Sequence, residues 1–427
     1  MLSKNKVLFL SILFGILLSV NGQTTNTKDY TDYSKVNKEV LQNRSIKDLI
    51  KLITYRQIKN QHDGEYKKGD WKSVKTSKPL KLQRWDYTLG VTMYGMQLAY
   101  DILKDDKIIN YINDFNHISA NQYEYLRWQK YKFGTTYKNK ALFKLCRLNM
   151  LDDCGAIGAG ILESVLRHNC EVTPQLEEML DIIGNYIVNV QHRLPDGTFW
   201  RPKFEKNPRI WADDLYMGLP FLVRWSEYTN DEKVLTDAAQ QIINFASYLQ
   251  DKKDGIWFHG YYVKRKERSL YKWGRANGWV AVAMAEVLSV LPESHPKYKE
   301  VLKIYKEQVV GLKKYQSKDG LWNQVIDHPE LAFGTETSCS AQFTFAIARG
   351  IRKGWLDNSY INIVEKAVAG LKERISEEGG LYKVCEGTGI GENIEYYDKR
   401  TMPYDDSHGT GLMLLAITEV YHLLGDK

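Results

Sequence analysis

The stretch IWADDLYMGLP, residues 210–220, places two adjacent aspartates at the start of an apolar segment. Five related loops, rich in Gly and polar groups and in three cases with aromatic residues, are RWDYTLG from 84, LDDCGAIGAG from 151, YKWGRANGW from 271, GTETSCSAQ from 334 and PYDDSHGTG from 403. Successive loops are about 60 residues apart, which is room for two average helices and their connections. Apolar residues recur at spacings of three and four after these loops, for example in 157–169, 276–291, 338–354 and 409–424. The sequence therefore predicts six helix pairs.

A second motif keeps the same interval. A turn of Asp or Gly followed by Gly and then an aromatic residue occurs as DGTFW from 196, DGIWF from 254, DGLWN from 319 and GGLYK from 379. Six helix pairs that close on themselves form an (α/α)6 barrel, an all-α fold, and an open solenoid is the alternative. We favour closure because there are six units and neither terminal unit resembles a polar cap. In a closed ring, all six polar loops would face one cleft at one rim.

Composition narrows the classes of partner. The chain has 427 residues, is 43% hydrophobic and 26% charged, and carries a net charge of +7, which suits an anionic ligand. Lys and Arg are scattered and no nucleic-acid-binding motif occurs, so we do not expect nucleic acid as a partner. The five Cys are odd in number and form no CxxC pair, which argues against a disulfide framework and a structural zinc site. No His or Cys group has metal-ligand spacing, so we predict no metal and no cofactor.

The first 22 residues have the features of a signal peptide. Lys4 and Lys6 precede an apolar stretch, residues 7–20, that is short for a membrane span. We interpret residues 23–45 as a polar leader and residues 46–427 as a single (α/α)6 domain. No later stretch is long and apolar enough to cross a bilayer. We therefore expect an exported, soluble protein, and the periplasm is the favoured location.

Three of the six loops contain a pair of adjacent aspartates: Asp152–Asp153, Asp213–Asp214 and Asp405–Asp406. Helix capping is one explanation, because Asp is favoured at N-caps and in first turns. Capping needs only one acid, however, and each loop has two. A carboxyl beside Trp211 and Tyr216, and beside a second carboxylate, also predicts a raised pKa. These pairs are therefore candidates for acid–base chemistry.

The loop YKWGRANGW places Trp273 and Trp279 on either side of Arg275. A guanidinium matches a carboxylate with two parallel hydrogen bonds, and flat indole rings offer stacking faces. The alternative is that Arg275 pairs with a rim aspartate while both Trp residues belong to the core. His259 in WFHGYY and His408 in DDSHGTG are further candidates for the cleft.

Several long motifs, WADDLYMGLPFL, WGRANGW, GLWNQVID followed by ETSCSAQFTFAIARGI, and DDSHGTG, resemble glycoside hydrolase family 105. Its members are unsaturated rhamnogalacturonyl hydrolases, related to the unsaturated glucuronyl hydrolases of family 88, and the resemblance runs to residue 424. It implies an (α/α)6 barrel that removes a 4,5-unsaturated uronic acid from the non-reducing end of lyase-generated oligosaccharides. A carboxylic acid protonates C4 of the vinyl ether, water adds at C5, and the hemiketal opens. The implied partner is thus an anionic oligosaccharide.

The resemblance also implies residue roles. The acid/base aspartate falls on Asp214, with Asp213 as the alternative, and the second important aspartate on Asp153. The predicted substrate contacts are His259, Trp273 and Arg275, together with Trp211, Trp279 and His408. An inverting glycosidase or a polysaccharide lyase on the same barrel, and an inactive periplasmic sugar-binding homologue, are the competing interpretations.

Overall fold

The computed structural model describes residues 33–61, 84–133, 142–201 and 208–426. The helices within these ranges are α1 Lys38–Gln42, α2 Ile46–Gln61, α3 Tyr87–Leu103, α4 Asp106–Phe133, α5 Phe143–Arg147, α6 Gly155–Arg167, α7 Pro174–Asn185, α8 Asp214–Thr229, α9 Glu232–Leu249, α10 Gly274–Val290, α11 Tyr298–Tyr315, α12 Thr337–Arg352, α13 Ile361–Lys372, α14 Ile394–Asp398 and α15 Ser407–Leu424. Short 3₁₀ turns occupy Tyr33–Lys35, Leu151–Asp153 and Asn358–Tyr360, and a π-helical turn occupies Tyr186–Val190. The predicted signal peptide, residues 1–22, lies outside the described residues.

Six helices form a closed inner ring in the order α3, α6, α8, α10, α12 and α15, and α15 packs back against α3. Helices α2, α4, α7, α9, α11 and α13 lie outside this ring, so outer and inner helices alternate along the chain. The architecture is an (α/α)6 barrel, as predicted. Contact between the last and first inner helices rules out the open solenoid.

Each of the six loops predicted from the sequence leads into one inner helix, from RWDYTLG into α3 to PYDDSHGTG into α15. Because an outer helix returns the chain between successive inner helices, all six inner helices begin at the same rim. Inner helices are buried almost all round, since ring neighbours and outer helices cover them. In α10, for example, every residue from Gly274 to Leu288 is buried.

The repeated turn motif lies in four connections from an outer to an inner helix. A glycine with a left-handed backbone occurs in every copy, with φ of 86° at Gly197, 74° at Gly255, 81° at Gly320 and 88° at Gly379. It is the second residue of the three DG copies and the first residue of GGLYK. A Cβ at Gly255 or Gly320 would also lie 2.1 Å from a carbonyl oxygen of the following outer helix. Glycine is required here for both conformation and close packing.

The end of the barrel opposite the rim contains a buried ion network. Arg224 of α8 lies 2.8 Å from Glu286 of α10, and Arg349 of α12 lies 2.6 Å from Glu286 and 2.9 Å from Glu419 of α15. Buried charges persist only when paired and hydrogen-bonded. These pairs link four inner helices, and Arg224 also lies 2.6 Å from Glu163 of α6. The rim end of the barrel remains for a ligand.

Short strands lie at the rim. β1 (Arg209–Trp211), β2 (Gly260–Tyr262) and β3 (Glu267–Arg268) form one antiparallel sheet, and β4 (Trp322–Asn323) pairs with β5 (Thr335–Glu336). No strand exceeds three residues in the described ranges, in agreement with the predicted all-α fold. Among these residues no helix is long and apolar enough to cross a membrane.

The part of the predicted polar leader that is described, residues 33–45, packs on the barrel. Leu41 is buried, and Arg44 donates hydrogen bonds to the carbonyl oxygens of Ile375 and Ser376. These contacts follow α13, so the chain before α2 covers the outer wall there. All five cysteines are free, and four of them are buried.

Candidate active site

The pair Asp213–Asp214 is positioned by the junction between β1 and α8. Trp211 pairs with Gly260 across the sheet, and the backbone N–H of Ala212 donates to the carbonyl oxygen of His259 over 3.1 Å. Asp213 occupies the N-cap position of α8, yet its side chain makes no capping hydrogen bond. Both aspartates are buried, with exposed fractions of 8% and 2%. Capping therefore does not explain this pair.

Arg201 links Asp214 to a second rim loop. Its Nη1 and Nη2 atoms donate to the two carboxylate oxygens of Asp152 over 2.9 and 3.0 Å. Its Nε donates to Oδ2 of Asp214 over 3.2 Å, and its Nη2 lies 2.9 Å from Oδ1 of Asp214. The guanidinium also stacks 4.3 Å above the ring of Trp211. One buried cation thus joins two carboxyl groups at the rim.

The two adjacent aspartates have opposite pKa shifts. Burial, helped by the carboxylates of Asp152 and Asp213 and opposed by Arg201, raises the pKa of Asp214 to about 7. Burial also acts to raise the pKa of Asp213, but His259 and Arg201 outweigh it and hold that pKa below its ordinary value. The raised pKa expected from the sequence is therefore found at Asp214. Two titratable groups with separated pKa values suit an acid and a neighbouring anion.

His259 lies behind Asp213. Its Nε2 is 3.4 Å from Oδ2 of Asp213, and its Nδ1 is 2.9 Å from the hydroxyl of Tyr397. Its ring contacts those of Trp211 and Trp273, with centroids 5.6 and 4.8 Å away. The structure therefore brings three predicted substrate contacts, His259, Trp211 and Trp273, together with Asp213.

Arg275 lies at the start of α10 and does not pair with a rim aspartate. Its Nη1 donates to Ser338 Oγ and to the carbonyl oxygen of Cys385, and its Nη2 donates to the carbonyl oxygen of Glu386 over 2.7 Å. These bonds use both hydrogens of Nη1 and one of Nη2. The Nε–H and the second Nη2–H, which form one edge of the guanidinium, make no hydrogen bond with any residue in the described ranges. That edge has the geometry to bind a carboxylate.

Asp153, predicted as the second important aspartate, is fully buried and does not meet Asp214. Its carboxylate pairs with Arg147 and accepts the backbone N–H of Asn149 over 3.1 Å. Its neighbour Asp152 instead binds Arg201. The two acids of this loop therefore have different surroundings. Asp152, and not Asp153, shares the guanidinium of Arg201 with Asp214.

Trp279 and His408, two further predicted contacts, flank Tyr87. Trp279 stacks on Tyr216 at 4.6 Å and presents its edge to Tyr87 at 6.2 Å. Nε2 of His408 lies 2.6 Å from the hydroxyl of Tyr87. One face of Trp279 is thus covered by the ring of Tyr216.

The two aspartates of the third acidic pair, Asp405 and Asp406, have different partners. Asp406 caps α15 by accepting the backbone N–H of His408 over 3.0 Å, and it also lies 2.5 Å from Nδ1 of His408. Asp405 pairs with Arg56 of α2 over 2.8 Å. The capping explanation therefore holds for Asp406.

Two residues at the rim, Arg201 and Tyr87, were missed from the sequence, and Asp152 was named only as part of an acidic pair in which Asp153 was preferred. Each stands in a motif that had been noticed, since Arg201 follows DGTFW, Asp152 is the first acid of LDDCG and Tyr87 lies in RWDYTLG. Only their position in or beside a recurring motif could have indicated these residues from the sequence. No group of three or more potential metal ligands occurs in the described part of the chain.

The family model described as Glycosyl Hydrolase Family 88 matches residues 49–424. The chain belongs to this family. It is 26% identical over 339 residues to the unsaturated rhamnogalacturonyl hydrolase YesR of Bacillus subtilis (strain 168), a match that covers 79% of this chain and 89% of that protein. The resemblance to families 105 and 88 noted in the sequence is thereby confirmed.

Solved structures agree with this family 88 assignment. A family 105 glycoside hydrolase of C. acetobutylicum ATCC 824 superposes with a TM-score of 0.67 at 26% identity, over 80% of this chain and 94% of that one. A possible family 105 member from Salmonella enterica serovar Paratyphi A superposes with a TM-score of 0.70 at 22% identity, over 91% of this chain and 95% of that one. The second likeness concerns the fold alone.

Proposed function

We propose that this family 88 protein removes a terminal 4,5-unsaturated uronic acid from an oligosaccharide by adding water across the C4=C5 double bond. The observation that carries the proposal is Asp214, a buried rim carboxyl with a pKa of about 7. Such a group is protonated often enough near neutral pH to give a proton to carbon. The activity named for the Bacillus relative supports the same substrate class.

Proton transfer to C4 is assigned to Asp214. The transfer leaves a carboxylate on Asp214, which the Nε–H of Arg201 stabilises over 3.2 Å. Because Arg201 is also bound by Asp152, its charge does not keep Asp214 ionised before the transfer. The three groups together make an acid of intermediate strength.

The cation that follows protonation has its charge on C5 and the ring oxygen. Asp213, whose pKa is held below its ordinary value, supplies a buried negative charge beside Asp214. A fixed charge in a site with little water stabilises developing opposite charge strongly. Water then adds at C5, the hemiketal opens, and the remaining oligosaccharide leaves.

Recognition of the sugar carboxylate is assigned to Arg275. Its Nη1 and one Nη2 hydrogen hold the backbone at 385–386, which fixes the orientation of the guanidinium. The ring of Trp273 lies 4.6 Å from the guanidinium and limits water on that side. The remaining edge would bind the uronate, with Trp211 in the adjacent wall, where the buried ring of His259 packs against Trp211 and Trp273.

Incubation with lyase digests of pectin, ulvan and glycosaminoglycans tests this function. We expect loss of the ultraviolet absorbance of the conjugated double bond, with release of the shortened oligosaccharide. A rise in that absorbance with intact polysaccharide would identify a lyase instead. Release of a sugar that keeps its double bond would identify an ordinary glycosidase, and binding without turnover would identify a sugar-binding homologue.

We also propose that the protein is exported and acts in the periplasm, on the basis of the basic and apolar sequence of residues 1–22. Cell fractionation with mass measurement of the mature N-terminus tests this. We expect a periplasmic protein that has lost about its first 22 residues. Recovery of the full chain from the cytoplasm would contradict it.

A further inference from the structure

Three side chains from two rim loops form a hydrogen-bonded series. Asp406 lies 2.5 Å from Nδ1 of His408, and Nε2 of His408 lies 2.6 Å from the hydroxyl of Tyr87. A carboxylate can only accept, so Nδ1 carries the hydrogen that faces Asp406. In a neutral imidazole, Nε2 is then an acceptor, and the O–H of Tyr87 must donate to it. This leaves the oxygen lone pairs of Tyr87 for a donor from the cleft.

Tyr87 faces the same cleft as the acid. Its ring lies against the edge of Trp279, whose face stacks on Tyr216 two residues after Asp214. The charges of Arg275, Asp152 and Asp213 all act on the Tyr87 hydroxyl, so these groups lie near it. Tyr87 begins α3 and Asp214 begins α8, and α6 separates these two helices in the ring. The hydroxyl and the acid therefore approach a bound sugar from different sides.

We propose that Asp406, His408 and Tyr87 form a proton relay that is the base for water addition at C5, while Asp214 is the acid at C4. This inference rests on the proposed function. As the water oxygen bonds to C5, one water proton passes to the Tyr87 oxygen and the Tyr87 proton passes to Nε2 of His408. The resulting imidazolium is stabilised by Asp406. It returns its proton through solvent, and Asp214, left ionised after protonating C4, takes one up, so that no net proton is gained or lost.

The charged groups around His408 affect its pKa and are compatible with a role as a base. Burial lowers the pKa of His408, and Arg275 lowers it further, while Asp406 and Asp86 raise it. Asp86 is itself paired with Lys144 over 2.6 Å, and Lys144 lies 5.5 Å from the centre of the Tyr87 ring. The imidazole is therefore neutral at neutral pH and can accept a proton. Tyr87 touches the reacting water and would be a catalytic residue, whereas His408 and Asp406 are positioning residues that act through it.

The relay is tested with Tyr87→Phe, His408→Gln and the double variant, each assayed by loss of the double bond. We expect Tyr87→Phe and His408→Gln each to lower kcat by about 100-fold or more with little change in KM, the range for a lost general base. Gln at 408 keeps an acceptor for Tyr87 but no basic nitrogen. The double variant should be no slower than the single ones, since residues that act as a unit are not additive. Tyr315→Phe, on the outer wall where the hydroxyl bonds Asp254, is the matched control and should keep full activity.

Asp406→Asn tests the relay through the pH profile of kcat/KM, which would not shift if Asp406 were only structural. Asn can still cap α15, but it removes the charge that raises the pKa of His408. The acid limb of kcat/KM should therefore shift to lower pH. A wild-type enzyme that consumes the double bond while Tyr87→Phe and His408→Gln stay within a few-fold of it would overturn the relay and leave the proposed function standing. Single effects that multiply in the double variant would overturn it as well, whereas a wild-type chain that consumes no double bond contradicts the proposed function itself.

Discussion

Arg201 binds Asp214 directly, with its Nε 3.2 Å from Oδ2, yet the pKa of Asp214 is raised to about 7 rather than lowered. A guanidinium at this distance ordinarily favours an ionised carboxylate. Burial outweighs it here, and Asp152 takes both Nη atoms of the same guanidinium. The strength of the acid is therefore set jointly by Arg201 and by carboxylates of two rim loops.

The first prediction concerns pH. Catalysis needs the protonated form of Asp214, which is lost as the pH rises through about 7, so kcat should fall on the alkaline side with that apparent pKa. Asp152→Asn removes a charge that raises this pKa and leaves Arg201 less compensated. Both changes lower the pKa of Asp214 and should move the alkaline limb to lower pH. Asp237→Asn, which removes a partner of Arg193 on the outer wall, is the control and should leave the limb in place. If the alkaline limb of the Asp152→Asn profile coincides with that of the unaltered protein, Asp152 does not set the pKa of Asp214.

The second prediction separates the two adjacent acids. Asp214→Asn removes the proton source and should lower kcat by about 10²- to 10⁴-fold or more, with the fold and substrate binding preserved. Asp213→Asn keeps the acid but removes the charge assigned to the cation, so the rate should fall without being abolished. Because that charge also raises the pKa of Asp214, the remaining activity should have its alkaline limb at lower pH. Rate profiles of both variants, with binding measured by calorimetry, check this. A nearly normal rate in Asp214→Asn with an inactive Asp213→Asn would transfer the acid role to Asp213.

The third prediction distinguishes Asp153 from Asp152. Asp153 is fully buried against Arg147, so Asp153→Asn should lower the stability by about 2 kcal/mol, less than for a fully buried pair because Arg147 is partly exposed. We expect a lower melting temperature and lower activity, since the loop that carries Asp152 loosens. The alkaline limb should not move. A shifted limb at unchanged stability would show instead that Asp153 acts on the acid.

These residues also show what the sequence could and could not predict. The six loops, the inner helices and the raised pKa at Asp214 were accessible, because spacing and neighbouring side chains are local properties of the chain. The partners of the acid were not. Arg201 and Asp152 are 49 positions apart, and Tyr87 and His408 are 321 apart. Nothing in either motif alone indicates that the closed ring brings these side chains together.

The fourth prediction concerns Arg275, which was assigned to the sugar carboxylate. Arg275→Ala should cost at least about 2 kcal/mol in kcat/KM, in line with truncation of one partner of a buried charged pair. Arg275→Lys should also be impaired, because Lys keeps the charge but loses the fork. The penalty should shrink when the substrate is the methyl ester, which has no carboxylate. Equal penalties on free acid and ester would mean that Arg275 serves only to hold the backbone at 385–386.

The central claim is that the protein hydrates a double bond rather than attacking the anomeric carbon. The most direct measurement is the NMR spectrum of the released uronic acid product when the reaction is run in deuterated water. Proton delivery to C4 predicts one deuterium on C4 and loss of the double bond, with product prepared in ordinary water and then transferred as the control for exchange. Release of the shortened oligosaccharide with the double bond intact and no deuterium on C4 would contradict the account.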